Sequence, residues 1–165
     1  MTDTTETLAL GRMIEKDLST LERIDRESFP TPWPAAEFRR FLERTDAVCL
    51  TARIGGEPAG YGVMLFEWDT GHILNLAVDR ELRRRGVGRA LVGELSRLAV
   101  EAGAEKIALE VRETNLPAQL FYREMGLRAV KIERGHYADT GEDAYVMEKP
   151  LREVAAANDR AAGKG

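Results

Sequence analysis

The stretch from His72 to Gly103 changes its hydrophobic period midway, and this limits the possible folds more than any other feature of the chain. His72 to Val78 reads as a strand, with alternate residues facing opposite ways. After it comes a turn rich in arginine and glycine, Arg83-Arg84-Arg85-Gly86-Val87-Gly88-Arg89-Ala90. From there Val87, Leu91, Leu95, Leu98 and Ala102 recur at helical spacing until Gly103 ends the run. A strand feeding a helix through a short turn is a building unit of α/β folds.

The rest of the chain supplies more of the same. A strand is expected over about Leu8 to Met13, then a helix carrying Leu18, Leu21 and Ile24 after a cap at Ser19 or Thr20. Phe29-Pro30-Thr31-Pro32-Trp33-Pro34 breaks that helix, and Pro34 suits the first turn of another bearing Phe38, Phe41 and Leu42. Strand-like runs Val48 to Ile54 and Ala59 to Phe66 flank Gly55-Gly56, a pair suited to a tight hairpin, and Asp69-Thr70-Gly71 supplies the next turn. Beyond the long helix, a strand over Lys106 to Val111 leads to a short helix with Asn115 as N-cap, Pro117 in its first turn and Gly126 past its end. Runs Leu127 to Ile132 and Ala144 to Met147 close the pattern, and the tail from Glu153 is expected to be disordered. The order is strand, two helices, three strands, helix, strand, helix, two strands, which is a mixed α/β sheet flanked by helices. No repeat or linker divides it, so residues 1–152 read as one domain and 153–165 as a tail.

Composition narrows the partners. Hydrophobic residues make up 44% and charged residues 32%, as in a globular protein, and no apolar run approaches the roughly 18 residues of a membrane helix. The first residues lack the basic start and apolar core of a signal peptide, so a cytoplasmic location is expected. A net charge of −4 argues against direct nucleic-acid binding, yet the arginines clustered at 80–89 allow a local anion site. Cys49, in an apolar run, reads as a buried inert thiol. It makes no metal site with the two distant histidines, His72 and His136.

The turn at 83–90 carries the chemistry. Backbone N–H groups at a helix start are unpaired and partly positive, glycines at 86 and 88 let main chain approach an anion, and the arginines add charge-assisted bonds. A solvated basic helix start would look the same. The turn lacks the lysine of a P-loop and the third glycine of a dinucleotide fingerprint. Read as Arg83-x-x-Gly86-x-Gly88, it is similar to the coenzyme A pyrophosphate signature R/Q-x-x-G-x-G/A of the GNAT N-acetyltransferases. The resemblance spans about residues 8 to 150. Ile73-Leu74-Asn75-Leu76-Ala77-Val78, Leu109-Glu110-Val111-Arg112-Glu113-Thr114-Asn115, Phe121-Tyr122-Arg123-Glu124-Met125-Gly126-Leu127 and Glu142-Asp143-Ala144 resemble the RimI branch in order and spacing. Phe29-Pro30 and Pro32-Trp33 resemble its substrate loop.

That resemblance implies a mainly antiparallel sheet with a splayed strand pair, and acetyl-CoA as cosubstrate with no metal. It places Leu76, Ala77 and Val78 along the thioester arm, with a backbone N–H as oxyanion donor. Arg83, Arg84, Arg85, Gly86, Val87, Gly88, Arg89 and Ala90 would hold the pyrophosphate, and Asn115 and Tyr122 would also touch the coenzyme. An N-terminal α-amine has a reference pKa of about 7.7–8.0, so it needs only modest help from a base. Glu110 is an acidic residue in an apolar strand, which is costly unless solvated, paired or functional. An ion pair would explain it, and the resemblance makes it the general base; Tyr122 becomes the general acid, although a packed tyrosine beside Phe121 fits the same pattern. Trp33 and Tyr137, each expected in a loop, are the acceptor-binding candidates, with packing as the other reading. The RimI branch commonly has paired tyrosines where this chain has His136-Tyr137, and His136 reads as solvated or substrate-contacting, His72 as bonding locally.

The resemblance thus implies Nα-acetylation of a protein, with an alanine-starting small-subunit ribosomal protein as acceptor. A relative acting on lysine or a small amine, and a non-catalytic acyl-CoA sensor, are the other readings. Keeping both Glu110 and Tyr122 counts against the sensor, which needs neither.

Overall fold

A computed structural model describes residues 6–151. The elements follow the expected order: β1 (Leu8–Arg12), α1 (Leu18–Ser28), α2 (Ala35–Leu42), β2 (Ala47–Ile54), β3 (Glu57–Glu67), β4 (Thr70–Val78), α3 (Val87–Glu101), β5 (Lys106–Arg112), α4 (Leu116–Glu124), β6 (Arg128–Tyr137) and β7 (Glu142–Pro150). Short 3-10 turns precede α1 and α3. The strands hydrogen-bond in the order β1-β2-β3-β4-β5-β7-β6, a mixed α/β sheet in which β4 and β5 are parallel. The tail expected from residue 153 lies outside the described residues.

By its internal packing the chain forms two units. The first holds the described residues up to Leu65 together with Asn75–Leu95. Here β1, β2 and β3 pair antiparallel, and the Gly55-Gly56 hairpin has φ of 59° and 83°, as its sequence demands. Leu18, Leu21 and Ile24 of α1, Phe38 of α2 and Tyr61 and Met64 of β3 are fully buried. Phe38 meets Tyr61 edge-on, centroids 5.1 Å apart. At Gly60 a Cβ would lie 2.8 Å from the carbonyl of Ala77, so only glycine allows β3 this close to β4.

The second unit holds Phe66–Leu74 and the described residues from Ser96 on. β5 pairs antiparallel with β7, and β7 with β6. The parallel register of β4 with β5 is Thr70↔Lys106, Gly71↔Ile107 and His72↔Ala108, and both strands run on past it. Ile107, Leu109, Val111, Leu127 and Met147 are buried in this unit.

Several boundaries differ from expectation. Ser19 and Thr20 are inside α1, not at its start. Asp17 holds the helix entry instead: its carboxylate accepts from the Ile14 amide (3.0 Å), from Thr51 (2.9 Å) and from both Arg53 nitrogens (2.6 Å each). Burial by itself would raise Asp17, but the Arg53 bonds, with Ile14 and Thr51, hold it below the usual carboxylate range. Pro34 is the N-cap of α2 rather than a first-turn residue. Thr70 and Gly71 already belong to β4, leaving the turn to Trp68 and Asp69, with Trp68 at φ 57°. β6 and β7 extend well beyond the expected runs, so His136 and Tyr137 end a strand and do not lie in a loop.

Candidate active site

The arginine-glycine turn is built in the first unit. The Asp79 amide donates to the Ala59 carbonyl (2.8 Å), and its carboxylate accepts from Glu81 N (3.0 Å) and Arg23 (2.9 Å). The Arg23 bond, working against burial, keeps Asp79 below its ordinary range. The chain then passes through Arg84 at φ 68° and Gly86 at φ 80° before Val87, 2% exposed, anchors the first turn of α3. Ala90 N donates to Gly86 O at 3.0 Å, the first bond of the helix ladder. The amides of Val87, Gly88 and Arg89 therefore lie ahead of that ladder, where helical N–H groups have no intrahelical acceptor. A Cβ added to Gly86 would meet nothing within 4 Å, and Arg83, Arg84, Arg85 and Arg89 are exposed. Open backbone donors, a helix start and four guanidinium groups make a donor set that fits a pyrophosphate. Of the β4 residues expected beside the thioester arm, Ala77 is buried, while Leu76 and Val78 are half-buried.

The strand carboxylate of Glu110 is in the second unit. Register His72↔Ala108 puts His72 beside the residue that shares a face with Glu110, and His72 Nε2 reaches Glu110 Oε2 at 2.6 Å. Their side chains are 19% and 24% exposed. On its other nitrogen, His72 Nδ1 is 3.6 Å from Glu67 Oε2. Burial pushes Glu110 up, but the His72 hydrogen bond and the charges of His72 and His136 bring it net below the ordinary carboxylate range. The Glu110 bond, aided by its charge and that of Glu67, raises His72. The expected local bonding of His72 thus turns out to be the ion pair that steadies Glu110. The sequence could not disclose a partner fixed by register between two parallel strands.

Asn115 caps α4 as expected, its side chain accepting from Ala118 N at 3.2 Å. Gln119 bridges to the carbonyls of Arg112 and Glu113 at 3.0 Å each. Tyr122 lies beside Phe121, with ring centroids 5.1 Å apart. Burial raises its hydroxyl, which is protonated at neutral pH. Tyr137, at the end of β6, lies under the Arg112 guanidinium, 3.9 Å from its centroid. Arg112 also binds Asp139 (2.9 Å) and Thr140 (3.3 Å), so one side chain braces the β6–β7 turn and Tyr137 together. Burial raises Tyr137, and the carboxylates of Glu110, Glu142 and Asp139 add to this against Arg112. Glu110, His72, His136 and Tyr137 therefore act on one another within one unit.

Trp33, in the first unit, stacks on Phe41 (5.1 Å, 12°) and meets Phe38 edge-on at 5.4 Å. Its ring thus has a packing role, and its amide donates to Asp25 at 2.5 Å. Cys49 is buried, and desolvation raises its thiol to about 11, in keeping with an inert role. Among the described residues no helix is long and apolar enough to cross a membrane.

The mixed sheet with its parallel β4–β5 pair, and the strand-to-helix turn after β4, are the features to compare with known proteins. Residues 18–127 match the acetyltransferase (GNAT) family, and the chain belongs to that family of enzymes. It is 37% identical to an uncharacterised N-acetyltransferase of Methanocaldococcus jannaschii, over 86% of this chain and 91% of that protein. It is 34% identical to an N-alpha-acetyltransferase of Sulfurisphaera tokodaii, over 82% and 88%. Its fold superposes on the crystal structure of the ribosomal-protein-S18-alanine N-acetyltransferase of Escherichia coli with TM-score 0.79 and 26% identity, covering 88% of this chain and 94% of that one.

Proposed function

We propose that this chain transfers the acetyl group of acetyl-CoA to the α-amine of a protein N-terminus, with an alanine-starting ribosomal protein as the acceptor class. The observation that carries this is Glu110, a half-buried strand carboxylate paired with His72, which lowers its pKa against burial. The naming of the Sulfurisphaera relative as an N-alpha-acetyltransferase, and of the Escherichia structure as an S18-alanine enzyme, supports the acceptor.

When bound, acetyl-CoA supplies the thioester whose C–S bond is exchanged for the new C–N bond. The turn at 83–90 holds its pyrophosphate through main-chain amides and arginines, and Asn115 bonds its amide. Main-chain N–H groups of Leu76, Ala77 and Val78 are the donors to the acyl oxygen. Glu110 takes the proton given up by the amine, through water, and His72 beside it orients the carboxylate and lowers its pKa. Tyr122 gives its proton to the departing thiolate sulfur. Trp33 and Tyr137 are the walls for the first residues of the acceptor. A low carboxylate pKa makes a weak base, which matches an amine close to neutrality already.

The test is mass spectrometry after incubation with acetyl-CoA. A free alanine-starting peptide should gain one acetyl on its α-nitrogen, faster than an internal-lysine peptide with a blocked N-terminus. Equal rates would overturn the N-terminal assignment in favour of lysine side chains.

A further inference from the structure

Asp25 is a carboxylate at 0% exposure in α1, outside the chemistry assigned above. Its Oδ2 accepts the Trp33 amide at 2.5 Å. Its Oδ1 accepts Asn75 Nδ2 at 2.7 Å and the Tyr61 hydroxyl. Its hydrogen-bond partners among the described residues are all neutral donors, and burial outweighs them to raise its pKa. A buried charge without a cation is an expensive way to hold a fold, since an apolar side chain of similar size would do so at less cost. Its geometry fits a different task. The three donors come from three places: the 29–34 loop, β3, and β4 one residue before Leu76.

We propose that Asp25 is the positioning residue of the acceptor loop, its two carboxylate oxygens clamping the Trp33 main chain on one side to Tyr61 and Asn75 on the other. The loop is stiffened by Pro30, Pro32 and Pro34, so fixing one amide near its end fixes the whole segment. The Trp33 ring, packed on Phe41 and Phe38, is thereby set in place by its own backbone. Only a carboxylate accepts on both sides. An asparagine at 25 would have to turn its NH₂ toward either the Trp33 N–H or the Tyr61 and Asn75 donors, and one side would open.

The kinetic arm of the test rests on the N-terminal reading; the spectroscopic arm does not. The chain has two tryptophans, and Trp68 is fully exposed, so Trp68→Phe leaves Trp33 as the single reporter. In that background Asp25→Asn should shift Trp33 emission to longer wavelength and increase its quenching by acrylamide. The KM for an alanine-starting peptide should rise on the order of tenfold to a hundredfold, the scale of a misplaced binding segment, with kcat and the KM for acetyl-CoA changed far less. The exchange Asp25→Asn with Asn75→Asp reverses donor and acceptor, and should recover both signals. If Asp25→Asn does not fold, Tyr61→Phe removes one donor and should give a smaller change of the same sign. Unchanged Trp33 emission in the folded variant, or a fall in kcat with peptide KM unaltered, overturns the assignment. If the wild type acetylates no N-terminal peptide, the functional reading falls, while emission still decides the role of Asp25.

Discussion

Glu110 is held below the ordinary carboxylate range, against its burial, chiefly by a residue on the neighbouring strand. Its depressed pKa means that its share of stability is present above its unfolded value and fades as pH falls through the folded one. His72 is raised, so its share is complete below its unfolded value and is lost as pH rises through the folded one. The pair is therefore strongest between about pH 4.3 and 6.5, the two reference values. Followed by carbon-13 NMR, the Glu110 carboxyl should titrate below the usual range in the wild type and shift upward in His72→Ala, where burial loses its strongest opponent. Glu110→Gln should keep acetyl-CoA affinity and lower kcat/KM by about 10²–10⁴-fold, the loss shrinking at higher pH where more of the amine is neutral. A pH-rate series with calorimetry checks both halves. Glu110 was legible in the sequence because a lone acid in an apolar strand asks for an explanation. His72 was not, since its partner is 38 positions away and only the β4–β5 register brings them together. Asp25 was hidden likewise, an acid on a helix whose burial depends on three later segments.

At the scale of elements, the order of strands and helices was readable throughout, because each period change is flanked by glycine, proline or a polar cap. Boundaries were lost where local rules gave way to tertiary partners. α1 begins at Leu18 because Asp17 is pinned by Arg53, which no capping rule near Ser19 could foresee. β6 was cut short because its burial lacks alternation, most of its residues being exposed on both faces. The strand-to-helix turn at 83–90 and α4 were legible as elements, and the roles proposed for both are testable. Gly88→Val places a branched side chain beside the proposed phosphate position, and calorimetry should find acetyl-CoA binding abolished in a folded protein. Asn115→Ala removes the acceptor of the Ala118 amide and should cost about 1 kcal/mol in denaturant unfolding.

For the whole molecule, acid sensitivity should centre on Asp17, 2% exposed and bound by Arg53 through both nitrogens. Its pKa is lowered, so its contribution is present above about 3.9 and is lost as pH falls through the folded value. Asp17→Asn should unfold more easily at pH 7 by about 2–3 kcal/mol and show a flatter acid limb in pH-dependent denaturation.

β6 is the last strand in the sheet order, and Val130 and Ile132 on it are 55% and 48% exposed. Between them stands Lys131, its ammonium 4.0 Å from Glu133. An open strand edge with apolar side chains is a template for another chain, and a lysine in its middle resists that addition by having to desolvate. Lys131→Val would leave the segment from Ala129 to Ile132 without a charge, an uninterrupted sticky run with high β-propensity. Light scattering of a concentrated sample should then rise with time while the acetyltransferase site is untouched, so this one cation guards the colloidal life of the protein rather than its chemistry.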